Sequence, residues 1–66
     1  MMKKITLRAA RINAGYTQKE AAEALKISHV TLVNWEKGRT APSVRMLDSL
    51  CDLYGVQYED INFLPE

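Results

Sequence analysis

Three glycines, at positions 15, 38 and 55, divide this chain of 66 residues into short stretches in which apolar residues recur with helical spacing. A glycine just after such a stretch is typical of a helix C-terminus, because glycine adopts the left-handed backbone conformation without a steric penalty. Four stretches are preceded by a residue that caps helix N-termini well: Thr6, Thr17, Ser28 and Ser43. The pattern predicts an all-α fold.

The apolar spacing predicts four helices and one further turn. The expected ranges are about 6–14, 18–25, 28–37 and 44–54, followed by a turn at 58–62 with Ile61 facing inward. The second helix opens with Thr17-Gln18-Lys19-Glu20, the pattern of a capping box. The stretch 30–33 has a high β-propensity and also suits a strand. The cap before it, the glycine after it and its helical neighbours favour a helix, and the sequence offers no partner strand.

The side chains expected to face the core follow the same spacing. In the third helix they are Leu32 and Trp35, with Thr31 near the crossing with another helix. The other helices contribute Leu7, Ala10, Arg11, Ala14, Ala21, Ala22, Leu25, Val44, Leu47, Leu50, Cys51 and Tyr54.

Composition excludes several classes of protein. One cysteine allows no internal disulfide, and one cysteine with one histidine cannot supply the four ligands of the usual zinc site. No apolar run exceeds two residues, which predicts no membrane span and no signal peptide, and hence a cytoplasmic protein. No nucleophile–base pair or phosphate-binding glycine loop is present, so we expect neither an enzyme nor a cofactor. The length predicts one domain, 1–66, without room for a small-molecule effector domain.

The charges are distributed unevenly along the chain. Residues 1–47 carry all nine basic residues and three acidic ones, a formal charge of +6, whereas residues 48–66 carry five acidic residues and no basic ones. Such asymmetry is typical of proteins that bind nucleic acids or membrane surfaces. We expect the basic stretch to face a polyanion and the acidic stretch to point away from it.

The second and third helices are joined by a short link, Lys26 to Ser28, which makes residues 17–37 a candidate helix-turn-helix. In that motif the second of the two helices enters the DNA major groove, and its exposed side chains read base edges. In the helix 28–37 the outward residues are predicted to be His29, Val30, Val33, Asn34 and Lys37.

The chain resembles the phage repressor/Cro-type (XRE-like) helix-turn-helix family. The resemblance rests on Tyr16-Thr17-Gln18-Lys19-Glu20-Ala21-Ala22, on Ile27-Ser28, on Asn34-Trp35-Glu36-Lys37-Gly38-Arg39 and on Pro42-Ser43, and it covers about Leu7 to Ile61. It implies a compact four- to five-helix bundle, a lambda-repressor-like DNA-binding domain. It also implies that the partner is double-stranded DNA, a near-palindromic operator bound by a homodimer.

The resemblance further implies roles for individual residues. Gln18 would contact the DNA backbone and support the recognition helix. The base readers would be His29, Val30, Val33 and Asn34. Asn34 would suit adenine, the valines would suit a thymine methyl, and His29 would donate to guanine or to phosphate.

Charged residues take two different roles in this interpretation. Lys37 and Arg39 would meet phosphates beside the recognition helix. Arg11 and Glu36 both lie on inward faces, and the family pairs these positions in a partly buried salt bridge. The sequence departs from the family at His29, where glutamine is frequent, and at Lys26, where many relatives carry glycine.

Two function classes remain open at this stage. The first is a sequence-specific transcriptional regulator, a repressor of the phage or prophage type. The second is an antitoxin-like or adaptor module whose main partner is another protein. It is suggested by the apolar tail, with Tyr58, Ile61, Phe63 and Leu64. A homodimer interface or a sealed core explains that tail equally well.

Overall fold

The computed structural model describes residues 4–62. The elements in chain order are β1 (Ile5–Thr6), α1 (Leu7–Asn13), α2 (Gln18–Leu25), α3 (His29–Glu36), α4 (Val44–Tyr54), a 3₁₀ turn (Tyr58–Asp60) and β2 (Ile61–Asn62). The four predicted helices are confirmed, each to within one residue at both ends. Phe63 and Leu64, which the sequence singled out, lie outside the described residues.

Each helix begins at the N-cap that the sequence predicted. The side-chain oxygens of Thr6, Thr17, Ser28 and Ser43 each accept a hydrogen bond from the backbone N–H three residues on, at 3.0–3.3 Å. Thr17 and Glu20 form the full capping box, since the Thr17 N–H also donates to Glu20 Oε1 at 2.9 Å. Local hydrogen bonds therefore define where every helix starts.

The three glycines end three of the helices in the left-handed conformation, with φ between 69° and 87°. After α2 the same conformation falls on Lys26, whose φ is 59° and which is the one non-glycine residue with positive φ between positions 4 and 62. The Ile27 N–H donates to the Ala22 carbonyl at 3.0 Å, which closes this helix end. The departure noted in the sequence is thus a strained helix terminus.

The core lies between the four helices, each of which contributes buried side chains. Leu32 and Leu50 are fully buried at its centre, and Ala21 and Ala22 let the helices approach closely. The remaining core side chains are Leu7, Ala10, Trp35, Tyr54 and Ile61.

Two of the predicted inward residues are exposed. Ala14 is the C-cap of α1, and Val44, with 77% of its surface exposed, is the first residue of α4. Both predictions were wrong for the same reason. Helical spacing assigns a face but does not say where along the helix the neighbouring elements stop covering it.

The all-α prediction missed a short parallel strand pair. Ile5 pairs with Ile61 and Thr6 with Asn62, which brings the two ends of the described chain together. Ile61 is buried, as predicted, and the single 3₁₀ turn before it is shorter than the predicted 58–62. Two-residue strands leave no alternating pattern long enough to detect in a sequence.

Candidate nucleic-acid interface

The candidate interface is built on α3, whose inner face is held by Leu32 and Trp35. His29 and Val30 are exposed at the start of the helix, and Lys37 is exposed at its end. Val33 and Asn34, which the sequence predicted to face outward, are half-buried.

Besides its inner face, α3 carries two adjacent stripes of side chains, which are exposed at His29, Val30 and Lys37 and buried at Glu36. Residues four and seven positions apart share a helix face. One stripe contains Val30, Asn34 and Lys37. The other contains His29, Val33 and Glu36, and hydrogen bonds connect both of its ends to α2.

Arg11 and Glu36 form an ion pair that ties α3 to α1. Arg11 Nε lies 2.8 Å from Glu36 Oε2, and both side chains are less than 10% exposed. The guanidinium also donates to the Tyr16 carbonyl at 2.9 Å and to Glu36 Oε1 at 3.4 Å. Each of the two buried groups therefore has an opposite charge beside it and a hydrogen-bond partner, as a buried ion pair requires.

Gln18, the first residue of α2, connects the two ends of that stripe. Its amide nitrogen Nε2 donates to Glu36 Oε1 at 3.0 Å. Its carbonyl Oε1 lies 3.1 Å from Nε2 of His29. The four side chains form one continuous series, Arg11–Glu36–Gln18–His29, which runs from the core to the exposed start of α3.

The loop after α3 presents Arg39 beside Lys37. The Arg39 N–H donates to the Asn34 carbonyl at 3.0 Å, and the Gly38 N–H donates to the Trp35 carbonyl at 3.2 Å. Both cationic side chains are exposed. Two positive charges therefore sit at the C-terminal end of α3, where the helix dipole is negative.

Other chemistry is sparse in the described part of the chain. Residues 4–62 contain no cluster of three His, Cys, Asp or Glu side chains able to hold a metal ion. Burial and the neighbouring carboxylates, Asp48 and Asp52 first among them, raise the pKa of the Cys51 thiol, which keeps it protonated. None of the helices in this range is long and apolar enough to span a bilayer.

A family model described as helix-turn-helix matches residues 7–61 of the chain. The chain belongs to the helix-turn-helix family. This match agrees with the resemblance to phage repressor/Cro-type (XRE-like) proteins that the sequence suggested. The helices α2 and α3 occupy the residues that the sequence predicted for the motif.

Three curated relatives of this helix-turn-helix chain are named HTH-type transcriptional regulators. ImmR of Bacillus subtilis is 48% identical over 50 residues, covering 76% of this chain and 39% of its own length. DicA of Escherichia coli is 43% identical over 44 residues, covering 67% and 33%. DdrOP3 of Deinococcus deserti is 40% identical over 55 residues, covering 83% and 43%. The chain thus spans about two fifths of the length of the curated relatives it matches. No solved structure gives a significant match.

Sequence reasoning missed one feature of this helix-turn-helix site. It linked Gln18 with support of the recognition helix, but not with the two partners Glu36 and His29. These pairs are separated by 18 and 11 residues, so no local spacing rule connects them. The sequence did contain a signal for these contacts. It places the amide of Gln18 at the start of α2, and the imidazole of His29 and the carboxylate of Glu36 on one stripe of α3.

Proposed function

We propose that this chain is a sequence-specific double-stranded DNA-binding domain of a transcriptional regulator, which inserts α3 into the major groove. The observation that carries the proposal is the exposed start of α3, where His29 is hydrogen-bonded through Gln18 to a buried ion pair. A base-reading side chain needs such support, because recognition depends on a defined orientation. Membership of the helix-turn-helix family and the names of the relatives agree with it.

The proposed contacts fall into two groups. His29, Val30, Val33 and Asn34 read base edges, with His29 and Val30 the most exposed of the four. Phosphates are contacted by Gln18, Lys37 and Arg39, because amides at a helix N-terminus and exposed cations both attract anions.

The wider interpretation follows the relatives. We propose a lambda-repressor-like arrangement that binds a near-palindromic operator as a homodimer, in a repressor of the phage or prophage type. In bacteria this function belongs in the cytoplasm, where the DNA lies. It needs no catalytic step and no small-molecule effector within these 66 residues.

The test is a selection of bound duplexes from random DNA, followed by titrations of the selected site. N34A is expected to weaken binding to that site by about 1–3 kcal/mol and to relax one base position. R39A, the matched control, is expected to weaken binding equally on selected and unrelated duplexes, because phosphate contacts carry no sequence information.

Symmetric selected sites would indicate dimeric binding. Absence of binding at low salt would overturn the proposal, and equal loss for N34A on all sequences would remove Asn34 from the base readers. The adaptor alternative rested on the apolar residues Tyr58, Ile61, Phe63 and Leu64. Ile61 is buried in the core and Tyr58 is exposed, whereas Phe63 and Leu64 lie outside the described residues. No contact in residues 4–62 favours it.

A further inference from the structure

The buried ion pair sets the direction of every hydrogen bond that leads to His29. Glu36 is the carboxylate of an ion pair, and its Oε2 accepts a hydrogen bond from Arg11 Nε at 2.8 Å. An ionised carboxylate only accepts hydrogen bonds. The Gln18 group 3.0 Å from Glu36 Oε1 must therefore be the amide NH₂, since the opposite orientation would bring two acceptor oxygens together.

That orientation directs the Gln18 carbonyl oxygen towards His29. The oxygen lies 3.1 Å from Nε2 of the ring, and a carbonyl oxygen also only accepts. His29 Nε2 must therefore carry the hydrogen. A neutral imidazole has one N–H, so Nδ1 is left with a free lone pair, and no group between residues 4 and 62 hydrogen-bonds to it.

The hydrogen-bond series thus reverses the role that the sequence suggested for His29. A donor to guanine or phosphate was expected, but the single N–H of the neutral ring is used by Gln18. In the major groove the groups that donate are the N6 amino group of adenine and the N4 amino group of cytosine, whereas guanine N7 and O6 and thymine O4 accept.

Building on the proposed DNA-binding function, we infer that His29 recognises a base amino group through Nδ1, and that Gln18 is the positioning residue that sets this polarity. In this arrangement Nδ1 of His29, a hydrogen-bond acceptor, faces the DNA groove. A base that presents another acceptor at that position is therefore disfavoured. The chemistry selected is an exocyclic amine of adenine or cytosine.

The experiment removes single groups from the DNA. The base that His29 contacts is located in the selected site as the position where H29A relaxes the preference, at alkaline pH so that histidine is neutral. If the base is adenine, purine removes the amino group and 7-deazaadenine removes N7. If it is cytosine, a 2-pyrimidinone removes N4, and 7-deazaguanine on the paired strand removes an acceptor.

Loss of the amino group is expected to weaken wild-type binding about three- to tenfold, the effect of one hydrogen bond. The same change should leave H29A unaffected, and the N7 change should leave the His29 contribution intact. The opposite pattern, with sensitivity to N7 and indifference to the amino group, would overturn the inference while leaving the DNA-binding function intact. Failure to select any site would instead overturn the proposed function.

A measurement without DNA tests the same polarity. The chain has a single histidine, so long-range ¹⁵N–¹H couplings report the tautomer of His29 without ambiguity. We expect the Nε2–H form in the wild type and a mixture of tautomers in Q18M, which lacks the carbonyl acceptor. A wild-type ring with its hydrogen on Nδ1, or a Q18M spectrum identical to that of the wild type, would contradict the role of Gln18.

Discussion

At the residue scale, Lys26 shows how one position can be strained within a well-capped fold. The turn between α2 and α3 needs positive φ, and lysine supplies it at a steric cost that glycine avoids. The cost is tolerated because the Ile27 N–H closes the helix end and Ser28 starts the next helix.

We therefore expect K26G to raise the free energy of unfolding by about 1 kcal/mol, measured by urea denaturation. K19G makes the same chemical change at an exposed position inside α2 and should lower it by a similar amount. A destabilised K26G would show that the lysine side chain makes contacts that outweigh the strain.

The buried hydroxyl of Tyr54 predicts that the free energy of unfolding depends on pH in the alkaline range. Burial, and then the negative charge of Glu36, raise the pKa of its hydroxyl to about 12. The folded state thus favours the neutral phenol more than the unfolded state does, with its ordinary pKa near 10. The free energy of unfolding should fall as pH rises from about 10 to 12.

Y54F removes the ionisable group. Between pH 10 and 12 its free energy of unfolding should therefore decrease by up to about 2 kcal/mol less than that of the wild type. Y58F changes an exposed tyrosine and should retain the wild-type decline. Parallel pH profiles for wild type and Y54F would rule out the proposed origin.

At the element scale, the last residue of α3 connects this helix to α1 and α2 by side-chain hydrogen bonds. Glu36 accepts hydrogen bonds from Arg11 and Gln18, and it lies on the same stripe as His29. The orientation of His29, a proposed base-reading residue, therefore depends on the buried carboxylate of Glu36, which does not contact DNA in our proposal.

E36A should lower the free energy of unfolding by about 3–5 kcal/mol, because it leaves Arg11 buried without a counter-charge. R11M/E36A should recover part of that loss, since no unpaired charge remains. E23A, an exposed carboxylate on α2, should change stability by less than about 0.5 kcal/mol. Strictly additive losses in a double-mutant cycle would show that the two charges do not interact.

At the scale of the whole molecule, the uneven charge predicts how binding responds to salt. The basic residues lie in 1–47, which contains the helix-turn-helix, and the acidic residues of α4 follow it in the chain. On the proposed function, only the first group releases counterions from DNA.

The slope of log affinity against log salt concentration should become shallower by about 2 in K37A/R39A, close to one unit for each phosphate contact. D48N/D52N, on α4, should leave the slope unchanged. If both double variants altered the slope equally, the acidic helix would also lie near the phosphates.

The sequence by itself determined the helices of this protein. Their starts and ends depend on hydrogen bonds between residues three to five positions apart, such as Thr17 with Glu20 and Asn34 with Arg39, and such partners are visible in a linear sequence. The helix-turn-helix and its candidate reading helix followed from those boundaries. The resemblance to a family then supplied the pairing of Arg11 with Glu36.

Only the tertiary structure decided how those helices combine into a site. It joined residues 5–6 to 61–62 as strands, exposed Ala14 and Val44, and partly covered Val33 and Asn34. It also brought Gln18 between Glu36 and His29. These contacts connect residues far apart in the chain, and they depend on where one helix stops covering another. The hydrogen-bond polarity of His29, on which its proposed base preference rests, is a property of that arrangement and of no single segment.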